Sequence, residues 1–163
     1  MIRPMSTPSE ADRELRAEAV VAAPLERVWA LLTDFSRMPG WSPELVPMLP
    51  LKRGGLRVGQ WYLGINRRKA VVWPTRSVVA VLEPGRTVAW DARSSGARWI
   101  WELADVGAAG TLVVHRRPVP GRLTVLSRLF APAALGGSAN HADELEVGMR
   151  QTVACLKAAA EAP

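Results

Sequence analysis

The chain has 163 residues, of which 48% are hydrophobic and 22% charged, and its formal net charge is +6. This length suits one domain, and no apolar run reaches the roughly 18 residues of a transmembrane helix, so we expect no stable membrane insertion. The N-terminus lacks the apolar core of a signal peptide, and the single Cys155 cannot form an internal disulfide. Both features predict a cytoplasmic protein.

The excess positive charge does not form a single surface stripe along the sequence. It occurs in short clusters, namely Lys52-Arg53, Arg67-Arg68-Lys69 and Arg116-Arg117. No nucleic-acid-binding motif accompanies these clusters, so we expect no nucleic-acid partner. With only two histidines, no zinc-type cysteine spacing and no glycine-rich phosphate loop, the sequence predicts neither a metal nor a cofactor.

The N-terminal third of the domain predicts one strand and two short helical segments. Residues 1–13 lack periodicity and predict a mobile leader, followed by a single domain over residues 14–161. Residues 14–22 predict the first strand. Pro24 can open the helix PLERVWALLTD, because the proline ring suits the first helical position. Asp34 or Thr33 ends this helix or caps a second short turn before the loop that contains Trp41.

The middle of the chain consists of short apolar runs separated by turn signals such as Pro84-Gly85. Pro47 and Pro50 predict that the first of these runs is an edge or bulged strand. Strands joined by short turns indicate an antiparallel sheet, and therefore an α+β domain. The six runs are LVPMLPLK, VGQWYLGIN, VVWPTRSVVAVLE, RTVAWDA, ARWIWELAD and TLVVHRRPV.

The C-terminal stretch, residues 136–161, predicts one long helix. Its inner stripe is Leu145, Met149, Thr152 and Leu156, at spacings of four, three and four residues. His141 lies one turn before Leu145 and continues this stripe. A neutral imidazole there could polarise a ligand carbonyl or shuttle a proton, or it could make only a structural hydrogen bond at the helix start.

Alternation along the strands predicts which side chains face inward. Arg98 and Glu102 should face water, which turns Trp99 and Trp101 inward. Arg76 should also face water, which turns the residues that alternate with it inward. On the next strand, Trp90 is predicted to face the same side. The inward set of these strands contains Trp73, Thr75, Ser77, Val79, Val88, Trp90, Trp99, Trp101 and Leu103. Such a mixture of tryptophans and hydroxyls indicates either a ligand cavity or one large core. The side taken by His115 stays open.

Two segments of the chain resemble a known family. The stretch APLERVWALLTDFSRMPGWSPE and the C-terminal GGSANHADELEVGMRQTVACLKAAAE are similar to polyketide cyclase/dehydrase-like proteins of the START-related superfamily, which includes the birch-pollen allergens. The resemblance implies a helix-grip fold, in which a seven-stranded antiparallel sheet wraps a long C-terminal helix, with two short helices after the first strand. It also implies an apolar cavity between sheet and helix for lipids, sterols or aromatic polyketides.

The resemblance bears on one ambiguous strand, VGQWYLGIN. Apolarity alone would bury Trp61, Leu63 and Ile65. Relatives carry an aromatic residue, a glycine and an asparagine facing the cavity at alternate positions, here Tyr62, Gly64 and Asn66. The first set would then be exposed, which predicts a homodimer through that surface.

These features predict a protein that binds a hydrophobic small molecule, lipid-like or aromatic polyketide-like, in an internal cavity. A cyclase or dehydratase with weak acid–base groups, His141 foremost, is the alternative, and the sequence leaves open whether any reaction is catalysed. Trp41 either covers the cavity entrance or pins its loop. The predicted ligand-lining residues are Trp41, Tyr62, Asn66, Trp73, Thr75, Trp90, Trp99, Trp101, His141, Leu145, Met149 and Thr152.

Overall fold

A computed structural model describes residues 13–118 and 138–163, with side chains in the second range from Ala142 onward. The described residues form seven strands and two α-helices, with 3-10 helices at Phe35–Gly40 and Gly107–Ala109. The elements are β1 (Leu15–Val21), α1 (Leu25–Thr33), β2 (Leu45–Pro50), β3 (Trp61–Arg68), β4 (Val71–Glu83), β5 (Thr87–Ala92), β6 (Ala97–Asp105), β7 (Thr111–Arg117) and α2 (Ser138–Glu161).

The strands form one antiparallel sheet in the order β1-β7-β6-β5-β4-β3-β2. Five of its six pairings join consecutive strands, as short turns require, and the sixth brings β1 beside β7. The expected α+β helix-grip fold is therefore confirmed, with two short helices after the first strand and a long helix at the C-terminus.

Local sequence explains the short helices that follow β1. Pro24 occupies the N-cap of α1, whose buried face consists of Val28, Leu31 and Leu32. Asp34 ends α1, and its carboxylate accepts a hydrogen bond from the Ser36 amide at 3.2 Å, which caps the 3-10 helix that follows. The cap predicted for Asp34 is thus present.

The strand β2 lies at one edge of the sheet, as its prolines predict. Its pairing with β3 slips between Leu45 and Met48, where Pro47 cannot donate a ladder hydrogen bond. The edge is therefore both short and bulged, a form that resists pairing with another sheet.

Helix α2 lies along β1 and is tied to it by polar contacts at both ends. Arg13 donates to Glu146 at 2.9 Å near the N-terminal end of α2. At the other end, Lys157 donates to the Val20 carbonyl at 2.6 Å, and the Ala22 amide donates to the Glu161 carboxylate at 2.7 Å. The buried side chains of α2 are Ala142, Met149, Val153, Leu156 and Ala160.

Two segments lie outside the described residues, namely 1–12 and 119–137. The predicted leader, residues 1–13, falls in the first of them except for Arg13, so the leader and the domain boundary stay predictions. Within the described ranges, no helix has the length and apolar character to cross a bilayer. A cytoplasmic location likewise stays a prediction.

Candidate functional site

The inner faces of β6 and β7 carry a stacked pair of aromatic rings. Antiparallel register places Trp101 opposite His115. Their rings stack almost in parallel, with centroids 3.8 Å apart and planes inclined by 12°. Trp99, two residues earlier on β6, approaches the same imidazole at 5.5 Å. His115 is therefore buried on the inner face, against two tryptophans.

Arg117 follows His115 by two residues on β7 and lies on the same face of the strand. Its guanidinium carbon lies 5.5 Å from the centre of the Trp99 ring, a cation–π distance. Burial lowers the pKa of Arg117, because removal from water disfavours the charged guanidinium. A cation held over an indole face is thus available on the inner wall of the sheet.

Trp41 reaches the same wall from the loop that follows the 3-10 helix. It is buried and meets Trp101 edge-on, with ring centroids 5.7 Å apart and planes inclined by 81°. The contact places the indole of Trp41 in the interior, and the two roles expected for it, covering a cavity entrance or fixing its loop, stay predictions. We refer to Trp41, Trp99, Trp101, His115 and Arg117 together as the buried polar cluster.

The buried polar cluster contains polar atoms without partners. Among the described residues, no hydrogen bond reaches the indole nitrogens of Trp41 and Trp101, either ring nitrogen of His115, or Nε of Arg117. Buried polar groups in proteins are almost always hydrogen-bonded, and an unmade bond destabilises by about 1–3 kcal/mol. Several such atoms in one contiguous group indicate a place where a polar ligand can bind.

Burial also sets the protonation state of His115. It lowers the pKa of this imidazole to about 3, because removal from water disfavours the charged imidazolium. At neutral pH the ring is uncharged, with one nitrogen as donor and the other as acceptor. His115 can therefore hydrogen-bond a ligand without presenting a charge.

Sequence reasoning did not place His115 or Arg117 in the site. The strand TLVVHRR carries apolar residues on both faces, so its alternation does not distinguish them. The available signal was the pairing of β6 with β7, since Trp101 was predicted to face inward. Register opposite Trp101 would have turned His115 inward as well.

A second aromatic group lies beside the cluster and includes Phe35, the first residue of the 3-10 helix that follows α1. Phe35 packs against Tyr62 at 4.8 Å and against Trp90 at 5.3 Å between ring centroids. Tyr62 is buried, and burial raises the pKa of its phenol. Tyr62 thus faces inward, as the resemblance implied, and Trp90 turns the same way.

Two predicted site residues on β3 and β4, near the β2 edge of the sheet, form a hydrogen bond with each other. The Asn66 side-chain amide donates to the Thr75 hydroxyl at 3.1 Å, and that hydroxyl donates to the Gly64 carbonyl at 3.4 Å. Trp73 lies opposite Asn66 in the β3–β4 register. Asn66 and Thr75 therefore have local partners, unlike the polar atoms of the buried polar cluster.

On α2 the predicted stripe is only partly buried. Met149 is buried and Leu145 is half-buried against the core, but the hydroxyl of half-buried Thr152 donates to the Gly148 carbonyl of its own helix at 2.9 Å. Val153, rather than Thr152, provides the fully buried side chain of that turn. His141 lies in the first turn of α2, and its side chain lies outside the described residues.

An open groove of about 520 Å³ lies on the outer face of the sheet, opposite the predicted cavity. Its charged lining is already satisfied, because Arg98 binds Asp91 through two hydrogen bonds and Arg116 binds Glu102 in the same way. These hydrogen bonds hold the pKa values of Asp91 and Glu102 below their usual range. The groove therefore offers a ligand less than the unpartnered atoms of the inner face do.

The chain is similar to one protein family and to several solved structures. A family model described as polyketide cyclase/dehydrase and lipid transport matches residues 12–161. No curated protein matches the chain. Among solved structures, the Zhui aromatase/cyclase from Streptomyces sp. R1128 is 20% identical, with a TM-score of 0.67, over 91% of this chain and 93% of the other.

Two further solved structures share the fold. The Polyketide_cyc-like protein Cgl2372 from Corynebacterium glutamicum is 24% identical, with a TM-score of 0.60, over 88% of each chain. The di-domain ARO/CYC BexL from the BE-7585A biosynthetic pathway is 19% identical, with a TM-score of 0.73, over 96% of this chain and 52% of that one. Because the family model spans nearly the whole sequence, the chain belongs to the polyketide cyclase/dehydrase and lipid transport family.

Proposed function

We propose that this protein binds a flat, largely apolar molecule with acceptor oxygens, in an internal cavity between the sheet and α2. The observation that carries the proposal is the buried polar cluster, in which five polar atoms on four side chains lack partners among the described residues. Ligand sites are typically apolar and aromatic, with a few polar groups that fix orientation, and this cluster has that composition.

The donors in the cluster define the ligand chemistry. The two indole N–H groups and Nε of Arg117 only donate, and neutral His115 adds one further donor. Carbonyl, carboxylate or phenolic oxygens would satisfy these groups, whereas a plain hydrocarbon would leave them unmet. The half-buried indole of Trp99 supplies apolar area for a ring system, whereas Trp101 is already stacked on His115. An aromatic polyketide-like or oxygenated lipid-like molecule therefore fits better than an alkane.

A cyclase or dehydratase acting on such a ligand is the second candidate. It is favoured by the position of a neutral imidazole beside a guanidinium, which could polarise a carbonyl. A general base, however, works best when its pKa lies near the working pH, and the pKa of His115 is about 3. That mismatch favours binding over acid–base catalysis by His115. The proposed role of His141 as an acid–base group belongs to this second candidate.

Ligand affinity tests the role of Arg117. We expect Arg117→Met, which keeps an apolar stem over Trp99, to weaken binding of the anthraquinone emodin by about ten- to hundredfold, the worth of a hydrogen bond to a charged group. Binding of anthracene, which has the same ring plan without oxygens, should change little. Quenching of tryptophan fluorescence measures both affinities.

The exposed Arg76 on the outer face of β4 provides the control, since Arg76→Met removes the same charge away from the cluster. Equal losses for emodin and anthracene, or equal effects of the two substitutions, would contradict the proposed polar recognition. Native mass spectrometry of freshly purified protein adds the identity of any molecule that co-purifies. Turnover of a bound ligand that depends on His115 would favour the second candidate.

The homodimer expected through Trp61, Leu63 and Ile65 is a further proposal. These side chains are half-buried on the outer face of β3, and the Arg93 guanidinium carbon lies 5.9 Å from the centre of the Trp61 ring. If they form an interface, Leu63→Lys should convert a dimer into a monomer in light scattering, because it buries an unpaired charge. Val147→Lys, on the exposed side of α2, is the control. A monomeric wild-type protein would contradict the dimer.

A further inference from the structure

The hairpin that joins β3 to β4 ends in a tip that is both basic and apolar. We call residues 67–72 the hairpin tip, with the sequence Arg-Arg-Lys-Ala-Val-Val. All of its side chains are exposed, and Val71 and Val72 expose 63% and 59% of their surface, among the largest fractions for hydrophobic residues in the described part of the chain. Two adjacent exposed valines beside three cations need a physical explanation.

The register of the tip distributes these residues evenly between its two faces. Arg67 pairs with Val72, and Arg68 pairs with Val71, so each face carries one arginine and one valine at the end of the ladder. Lys69 forms the turn with a φ of 55°. A flat protein partner could cover only one of these faces, whereas a lipid interface surrounds an inserted tip on all sides.

Two carboxylates approach one of the three cations of the tip, and within the described part of the chain the other two cations have no such neighbour. Among the described residues, no carboxylate lies within ion-pair distance of Arg67 or Lys69. Arg68 approaches Glu44 at 3.7 Å and Glu144 at 3.8 Å, and all three side chains are exposed. Exposed pairs at such distances are weak, so Arg68 can exchange its carboxylates for an outside anion, and Arg67 and Lys69 have no carboxylate of the described residues to exchange.

We propose that the hairpin tip docks this protein on an anionic membrane surface. The valines enter the headgroup region, where apolar side chains gain from leaving water, and the three cations bind lipid phosphates around them. This is peripheral attachment, and it adds no membrane-spanning segment. It goes beyond the proposed ligand binding and does not depend on it.

The hairpin tip lies at the end of the domain where α2 begins. Arg68 approaches Glu144 in the N-terminal half of α2, so the tip lies at that end of the helix. The β2–β3 connection lies at the opposite end, because Leu45 pairs with Asn66 and Pro50 with Tyr62. Docking through the tip would therefore bring one end of the domain, and not the other, against the bilayer.

Vesicle flotation tests this proposal with full-length protein. We expect binding to vesicles of equal parts phosphatidylcholine and phosphatidylglycerol, and little binding to pure phosphatidylcholine. The double variant Arg67→Gln/Lys69→Gln should bind roughly 25-fold more weakly, since each cation near an anionic surface contributes about fivefold in affinity. Val71→Ser/Val72→Ser should bind severalfold more weakly without loss of thermal stability, because both valines are exposed.

The opposite end of β3 supplies a matched control. Arg53→Gln/Val58→Ser removes one cation and one exposed valine (58% exposed) from the β2–β3 connection, and it should bind vesicles like the wild type. Insertion itself is measured with an environment-sensitive fluorophore on Val71→Cys in a Cys155→Ser background, whose emission should shift to the blue on anionic vesicles. The same label on Val58→Cys should not shift.

Three results would overturn the proposal. The first is equal binding to neutral and anionic vesicles, and the second is an equal loss for the control and the tip variants. The third is binding of a soluble short-chain phosphatidylglycerol without any binding to vesicles, which would assign the cations to ligand capture instead. Ligand affinity for emodin, measured on the same variants, separates a failure of docking from a failure of the binding function.

Discussion

Replacement of Gly110 by alanine is expected to lower the free energy of unfolding by about 3 to 5 kcal/mol, the sum of backbone strain and steric overlap. Gly110 precedes β7 and has a φ of 107°, which residues with a Cβ rarely adopt. A Cβ there would also lie 2.1 Å from the Val21 carbonyl oxygen and 3.0 Å from the Ala23 nitrogen.

The backbone that a Cβ on Gly110 would strike has little freedom to move. The Ala23 carbonyl accepts a buried hydrogen bond of 2.9 Å from the Thr111 hydroxyl, and the Ala23 amide donates to the Val21 carbonyl at 2.8 Å. Relief of the overlap would break these contacts between the end of β1 and the start of β7. The substitution therefore disturbs the pairing of β1 with β7.

Gly107, in the same hairpin, provides the matched control. Its φ of 70° is also positive, but a Cβ there would meet nothing within 4 Å. We expect Gly107→Ala to lower the free energy of unfolding by only about 1 kcal/mol, the usual strain of a left-handed residue. Urea denaturation of the two variants measures the difference. Similar losses at the two positions would contradict the clash with Val21.

The second large effect concerns the acid sensitivity that His115 confers. We expect the wild-type protein to lose about 2 kcal/mol of stability between pH 8 and pH 5 through this residue. Its pKa is about 3 in the folded protein and about 6.5 when unfolded. As pH falls below 6.5, the unfolded chain binds a proton that the folded chain excludes, so stability falls and continues to fall until about pH 3.

His115→Phe isolates this contribution. Phenylalanine can keep the stack on Trp101 but has no nitrogen to protonate, so the variant should lose about 2 kcal/mol less than the wild type over the same interval. Urea denaturation at several pH values measures the difference. Carboxylates with lowered pKa, such as Glu102 and Asp91, also lose stability in acid, but they do so equally in both proteins.

Parallel pH profiles for the two proteins would show that His115 is hydrated or partnered in solution, and would weaken the case for the buried polar cluster. The same variant should bind emodin less tightly than the wild type at neutral pH, because it lacks both ring nitrogens. The pH dependence of stability thus tests the burial of His115, and emodin affinity independently tests its hydrogen bonds to a ligand.

Much of the fold could be predicted because the strands are marked locally. Prolines and glycines, such as Pro84-Gly85, end the runs, and the charges of Arg98 and Glu102 identify the outer face of β6. Those signals depend only on the alternation of side chains along a strand and on backbone constraints of single residues. They therefore predicted the succession of strands along the chain and turned Trp101 inward. Tyr62 needed the family resemblance, since apolarity favoured its neighbours.

The sequence by itself determined the α+β class, the strands, the long C-terminal helix and the family, all of which are recorded in local patterns. Only the tertiary structure decided how the surfaces meet. It placed His115 on Trp101 by strand register, brought Phe35 between Tyr62 and Trp90, and brought Trp41 into the interior from a distant loop. The physical reason is that packing between elements far apart in the chain leaves no periodic signal within any one of them.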